Sequence, residues 1–222
     1  MNDKAGSEQG KRYLRRLDTF LDVVYALLFF RILHYLPHSE DMAWADKPLG
    51  LLSLLWANAD ELLRIIVGLG LTIIYWNLNN KLFGPLVRTN GRHAILALLQ
   101  MFFVCLFIYF AISDPALAGG PSSPALQSVS LFIAGFVGLW GWSYARKNQL
   151  VNEDLTEAEK DRVSRSGLIE PITALLNTPL AFVGPMAWTL GWFIIPFPVM
   201  WVVQKSKSPK KAAPDSVQER KG

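Results

Sequence analysis

A single cysteine, Cys105, stands in the 222 residues. One thiol excludes an intrachain disulfide framework, and its place inside an apolar run makes it a small hydrophobe. Charge is scarce as well. Asp, Glu, Lys and Arg make up 18% of the chain, against about 25% in ordinary soluble domains. There is no phosphate-cradling glycine loop, no His-Glu-x-x-His pair, no Gly-x-Ser-x-Gly elbow and no well-placed carboxylate pair. No enzymatic activity and no cofactor are therefore expected. The formal net charge of +4 does not make a nucleic-acid patch. Its basic residues flank apolar blocks, the pattern that orients membrane proteins, so no nucleic-acid partner is expected.

What the chain has is segregated hydrophobicity. Hydrophobic residues form 51% of it, in long blocks separated by short polar, Pro/Gly-rich or basic stretches. A bilayer-spanning helix needs about 20 mostly apolar residues. Six blocks approach that length: 17–36, 61–80, 94–112, 129–145, 168–183 and 186–203. The expected fold is all-α, a polytopic membrane protein with six transmembrane helices over 17–203. A basic cytoplasmic N-terminus (1–16) precedes them and a disordered, basic cytoplasmic tail (204–222) follows. The first block, followed by His38, Ser39, Glu40 and Asp41 and not by a small-residue cleavage site, reads as a retained helix. The last two blocks carry Pro171, Pro179, Pro185, Pro196 and Pro198 and could instead form a kinked hairpin. The apolar stretch 50–56 suits an interfacial turn or an extension of the second helix. Residues 152–160 read as a small soluble helical turn, opened by the capping box of Thr156 and Glu159.

Basic residues orient the expected helices. Of the 22 Lys and Arg, 19 lie before the first block, between the second and third, between the fourth and fifth, or after the sixth. The opposite loops hold only Lys47. Positive charge stays on the cytoplasmic side, which puts both termini inside.

Charged side chains within membrane helices are costly and need partners. In the first block, Asp22 lies one to two turns from Arg15 and Arg16, an ion pair in reach. Residues three and four apart share a helix face, so Phe20, Val24, Leu27, Arg31 and His34 form one stripe. Lining a pore, that stripe would present Leu27 as a hydrophobic constriction, with Arg31 as a positive ring favouring anions. Pairing with Asp60 or Glu61 would neutralise Arg31, and snorkelling to the outer interface would hydrate it. The sequence leaves the three open. The second block ends with Asn77, Asn79 and Asn80, whose amides suit packing between helices. His34 and His38 have the i, i+4 spacing of metal ligands, but Pro37 intervenes and no metal site is expected.

The run Arg16-Leu17-Asp18-Thr19-Phe20-Leu21-Asp22-Val23-Val24-Tyr25-Ala26-Leu27 resembles Arg-x-x-x-Phe-Ser-Asp-x-Val-Phe-Ala-Ile. That motif opens the first helix of bacterial and lysosomal potassium channels of the transmembrane-protein-175 type. Trp76-x-x-Asn79-Asn80-x-Leu82-Phe83 is similar to that family's Trp-x-x-His-His-x-Leu-Phe. Six helices, a basic N-terminus and an Arg-containing end of the fourth helix also fit, over roughly residues 12–203.

The resemblance implies a homotetramer that conducts monovalent ions, potassium first, in a bacterial inner membrane without a carbonyl filter loop. Its pore would be lined by the first helix, narrowest at Leu27 beside Val24 and Phe20. Phe30, Arg31 and His34 would line the outer half, and Arg16, Phe20 and Asp22 would hold the helix against its neighbours. The departures are Leu21 for the motif serine, Phe30 for a frequent threonine, and Asn79 and Asn80 for the paired histidines. Four copies of Arg31 near a pore would oppose potassium unless neutralised. That leaves room for an anion-permeable variant, or for a non-conducting scaffold or regulatory protein of the same fold.

Overall fold

The computed structural model describes residues 2–34, 52, 56, 59–113 and 120–205. Among these the chain is helical. Helix α1 runs Asn2–Leu33, α2 Ala59–Phe83, α3 Gly91–Ser113, α4 Ser122–Lys147 and α5 Glu157–Asn177. A 3₁₀ turn, Thr178–Phe182, leads to α6 (Pro185–Ile194) and α7 (Pro196–Lys205). Three stretches are long and apolar enough to cross a membrane: Gly91–Ala111, Ser122–Lys147 and the combined rod Pro185–Lys205. The chain is thus an all-α integral membrane protein. Their mean hydropathies are 2.5, 1.4 and 1.6, and the second is largely buried by its neighbours.

Several expected boundaries shift, each for a local reason. The basic N-terminus is not a separate arm: α1 begins at Asn2 and runs unbroken through 17–33. Nor is 152–160 a free turn, because its capping box starts the long helix α5. Thr156 accepts from the Glu159 N–H, while Glu159 accepts from the Thr156 N–H, satisfying two orphan donors at once. The expected fifth segment, 168–183, is the second half of α5 plus the 3₁₀ turn. The sixth breaks into α6 and α7, since Pro196 and Pro198 lack the N–H groups that would continue the ladder. Ile195 keeps right-handed helical angles, so the two pieces form a kinked rod. The tail from 206, the loop 35–51 and the side chains of Asp60, Glu61 and Arg64 lie outside the described residues. So does most of the 50–56 stretch.

Close approach explains the core. On α4, Ala134, Gly135, Gly138, Gly141 and Ala145 make a stripe of small residues, the kind that lets membrane helices touch backbones. A methyl group at Gly135 would stand 2.9 Å from Pro171 of α5, and one at Gly138 would stand 2.8 Å from Gln100 of α3. Bulk at these two positions would push α4 off both neighbours. Fully buried Trp142 of α4 donates from Nε1 to Ser164 of α5 at 2.8 Å. Tyr75 of α2 donates to the Leu131 carbonyl of α4 at 2.6 Å.

Basic ends that the sequence assigns to one side meet at one end of the bundle. The Val87 N–H donates to Leu150 and the Asn152 N–H to Pro85, both at 2.9 Å, joining the α2–α3 and α4–α5 loops. The Thr89 N–H reaches the Gly10 carbonyl of α1 at 3.3 Å. Arg146 then bridges across the corner to Glu157 at 2.9 Å and Asp161 at 3.0 Å on α5. Gln149 supplies the left-handed residue (φ 54°) that turns the chain out of α4.

Candidate functional site on the first helix

Helix α1 has two unlike faces. Leu17, Leu21, Tyr25 and Ile32 are buried, with Leu14, Val24 and Leu28 packed beside them. Leu21, the departure from the motif serine, is completely buried; its hydrocarbon replaces a hydroxyl where the helix meets the bundle. The opposite face is Phe20, Val23, Leu27 and Phe30, which are 51%, 52%, 62% and 72% exposed. The stripe read from the sequence is therefore mostly the outward face of α1. Val24 is its half-buried member. A shallow groove of about 470 Å³ runs along it, lined by Val24, Leu27, Leu28, Phe30, Arg31 and His34. Leu27, Phe30, Arg31 and His34 thus share one concave surface. Arg31 and His34 each have an interaction partner.

The two ends of the motif resemblance meet in space. Trp76 of α2 donates from Nε1 to the Asp22 carboxylate of α1 at 3.0 Å. That bond ties α1 to α2 on the exposed side, while buried Leu17, Leu21 and Tyr25 set which face turns inward and leave Leu27 pointing out. The ion pair expected between Asp22 and Arg15 or Arg16 does not form among the described residues; Arg15 and Arg16 are exposed. A hydrogen bond from an indole satisfies the carboxylate without bringing a second charge beside it. Of the asparagines, Asn79 is buried and its Nδ2 lacks a partner. Asn80 is half-buried at the C-terminal turn of α2, where its backbone carbonyl accepts from Gly84 at 2.8 Å.

An interior polar cluster escaped the sequence reading. Tyr75 lies within electrostatic reach of Tyr25 on α1 and Glu170 on α5. The Tyr25 hydroxyl and Glu170 Oε2 are buried without a hydrogen bond. The signal was available: Glu170 is an acidic residue inside an apolar block, and such residues demand an account. Tyr25 continues the i, i+4 run of Leu17 and Leu21 that marks the buried face.

Compared with protein-family models and with curated proteins, the chain matches none.

Proposed function

We propose that the chain is the subunit of an ion channel, conducting monovalent cations of the potassium type through a pore lined by α1. In this reading it assembles as a homotetramer and crosses a bacterial inner membrane six times, with both termini cytoplasmic. One observation carries the reading: α1 turns an apolar face centred on Leu27 away from its own bundle, and the Asp22–Trp76 bond holds it there. A second copy of the chain, placed against that face, would bury it and leave Leu27 as the narrow point. Chain length supports further crossings beyond the three most apolar helices. At about 1.5 Å per residue, the 25 residues of α2 reach about 37 Å and the apolar part of α1, 17–33, about 26 Å, against a hydrocarbon core of about 30 Å. The joined basic loops support the alternation of charge that puts the termini inside.

Arg31 favours a second reading, because it lines the same groove as Leu27. A ring of guanidinium groups there would pass anions. Flux through liposomes holding the purified protein tests both. Leu27→Ala and Leu27→Asn are expected to raise leak or alter selectivity. Unchanged conductance in both variants would remove α1 from the pore. A reversal potential at the chloride value would favour the anion path, and no flux at all would favour the scaffold or regulatory role.

A further inference from the structure

We propose that the cleft beneath the joined basic loops binds the phosphodiester of an anionic phospholipid. The cleft has a volume of about 630 Å³, and its lining includes Lys81, Arg162 and the apolar side chains of Leu86, Leu155 and Val163. Its depth in the membrane follows from two neighbouring helices. The apolar span of α3 starts at Gly91 and that of α4 ends at Lys147, a few residues from Leu86 on one side and Leu155 on the other. The cleft therefore sits where hydrocarbon gives way to headgroups.

Charge in the cleft lining is positive because Lys81 and Arg162 line it and, among the described residues, no carboxylate does; Glu153 and Asp154 of the adjoining loop are exposed, and other nearby carboxylates have partners of their own. Glu157 pairs with Arg146 and Lys160, Asp161 pairs with Arg146, and Glu159 accepts from Thr156. Two acidic groups face the cleft cations without bonding them: Glu159 toward Arg162 and Glu170 toward Lys81. Among the described residues no ion pair joins Lys81 or Arg162 to a carboxylate. Lys81 comes from the last turn of α2 and Arg162 from the second turn of α5, so two elements bring a cation each to one cleft. Basic pockets between membrane helices at this depth bind anionic headgroups. The apolar part of the lining matches the glycerol and first acyl carbons below the phosphate, which free phosphate lacks. The inference needs only the membrane-spanning helices and is independent of conduction.

Binding to the full chain in detergent, followed by native mass spectrometry and thermal unfolding, tests it. Short-chain phosphatidylglycerol is expected to bind and raise the unfolding midpoint more than phosphatidylcholine of the same chain length. Lys81→Gln and Arg162→Gln should each weaken phosphatidylglycerol roughly five-fold, and together about 25-fold. Lys147→Gln, at the same membrane end but outside the cleft, should leave binding unchanged. Lys81→Arg and Arg162→Lys should keep it. If the double variant does not fold, Arg162→Gln alone carries the measurement, since that side chain is exposed. Equal binding of the two lipids would overturn the proposal. So would wild-type affinity in the double variant, an equal loss in Lys147→Gln, or inorganic phosphate reproducing the full shift.

Discussion

The Asp22–Trp76 hydrogen bond is the polar contact that ties α1 to α2, and a double-mutant cycle can weigh it. Trp76→Phe removes the N–H and keeps an aromatic ring; Asp22→Ala removes the acceptor. The bond is 3.0 Å long and one partner is charged, and such bonds contribute about 1.5–3 kcal/mol where water does not compete. Both side chains are partly exposed on the surface of the bundle, which lowers that figure. Interhelical hydrogen bonds in membrane proteins average about 0.6 kcal/mol and reach about 1.7. A coupling energy of about 0.6–1.7 kcal/mol is therefore expected, read from reversible unfolding in mixed micelles. The same cycle with Arg16→Ala and Asp22→Ala should give coupling near zero, since Arg16 forms no ion pair with Asp22. Coupling to Trp76 below about 0.5 kcal/mol, or stronger coupling to Arg16, would refute the reasoning. The carboxylate of Asp22 would then serve a pair within α1 and not the contact with α2, and the Leu27 face would lose that tie to its neighbour.

Two further perturbations probe the remainder of the bundle. Gly191→Ala puts a methyl group onto the Asn177 side chain, which is fully buried and donates to the Trp188 carbonyl at 3.1 Å. Overpacking and loss of that bond outweigh the gain in helix propensity, for a net loss of about 2–4 kcal/mol; a thermal midpoint equal to wild type would contradict the packing of α6 on α5. At the α4–α5 corner, hydrogen bonds from Lys160 and then Arg146 hold the Glu157 carboxyl below its ordinary value of 4.5. A depressed carboxyl stabilises the fold fully above its unfolded value, and that stability is lost as pH falls through the lower folded value. Unfolding midpoints should therefore drop from pH 6 to pH 3, and drop less in Glu157→Gln. An identical pH dependence in the variant would show that this corner does not contribute.

Much of the architecture was legible in the order of residues. Hydrophobic blocks marked the helices, because lipid leaves the backbone no hydrogen-bond partner but itself. The capping box of Thr156 and Glu159, the breaks at proline and the gathering of basic loops all followed from local chemistry. The outward Phe20 and Leu27 of the candidate stripe could be grouped on one face of α1, since 3.6-residue periodicity is a property of the sequence alone. Which face turns inward was not legible. Leu17, Leu21 and Tyr25 form as good a stripe as Phe20, Leu27 and Phe30, and both are apolar, so hydrophobicity could not choose between them. The choice was made by the packing of Leu17, Leu21 and Tyr25 into the bundle, with Trp76, 54 positions from Asp22, reaching across from another helix. The same limit hid the Tyr25, Tyr75 and Glu170 cluster and the pairing of Lys81 with Arg162 around one cleft. Sequence fixes what each helix can offer on each face; only the packing of α4's glycines against α3 and α5, and the bonds between distant helices, decides which face meets which.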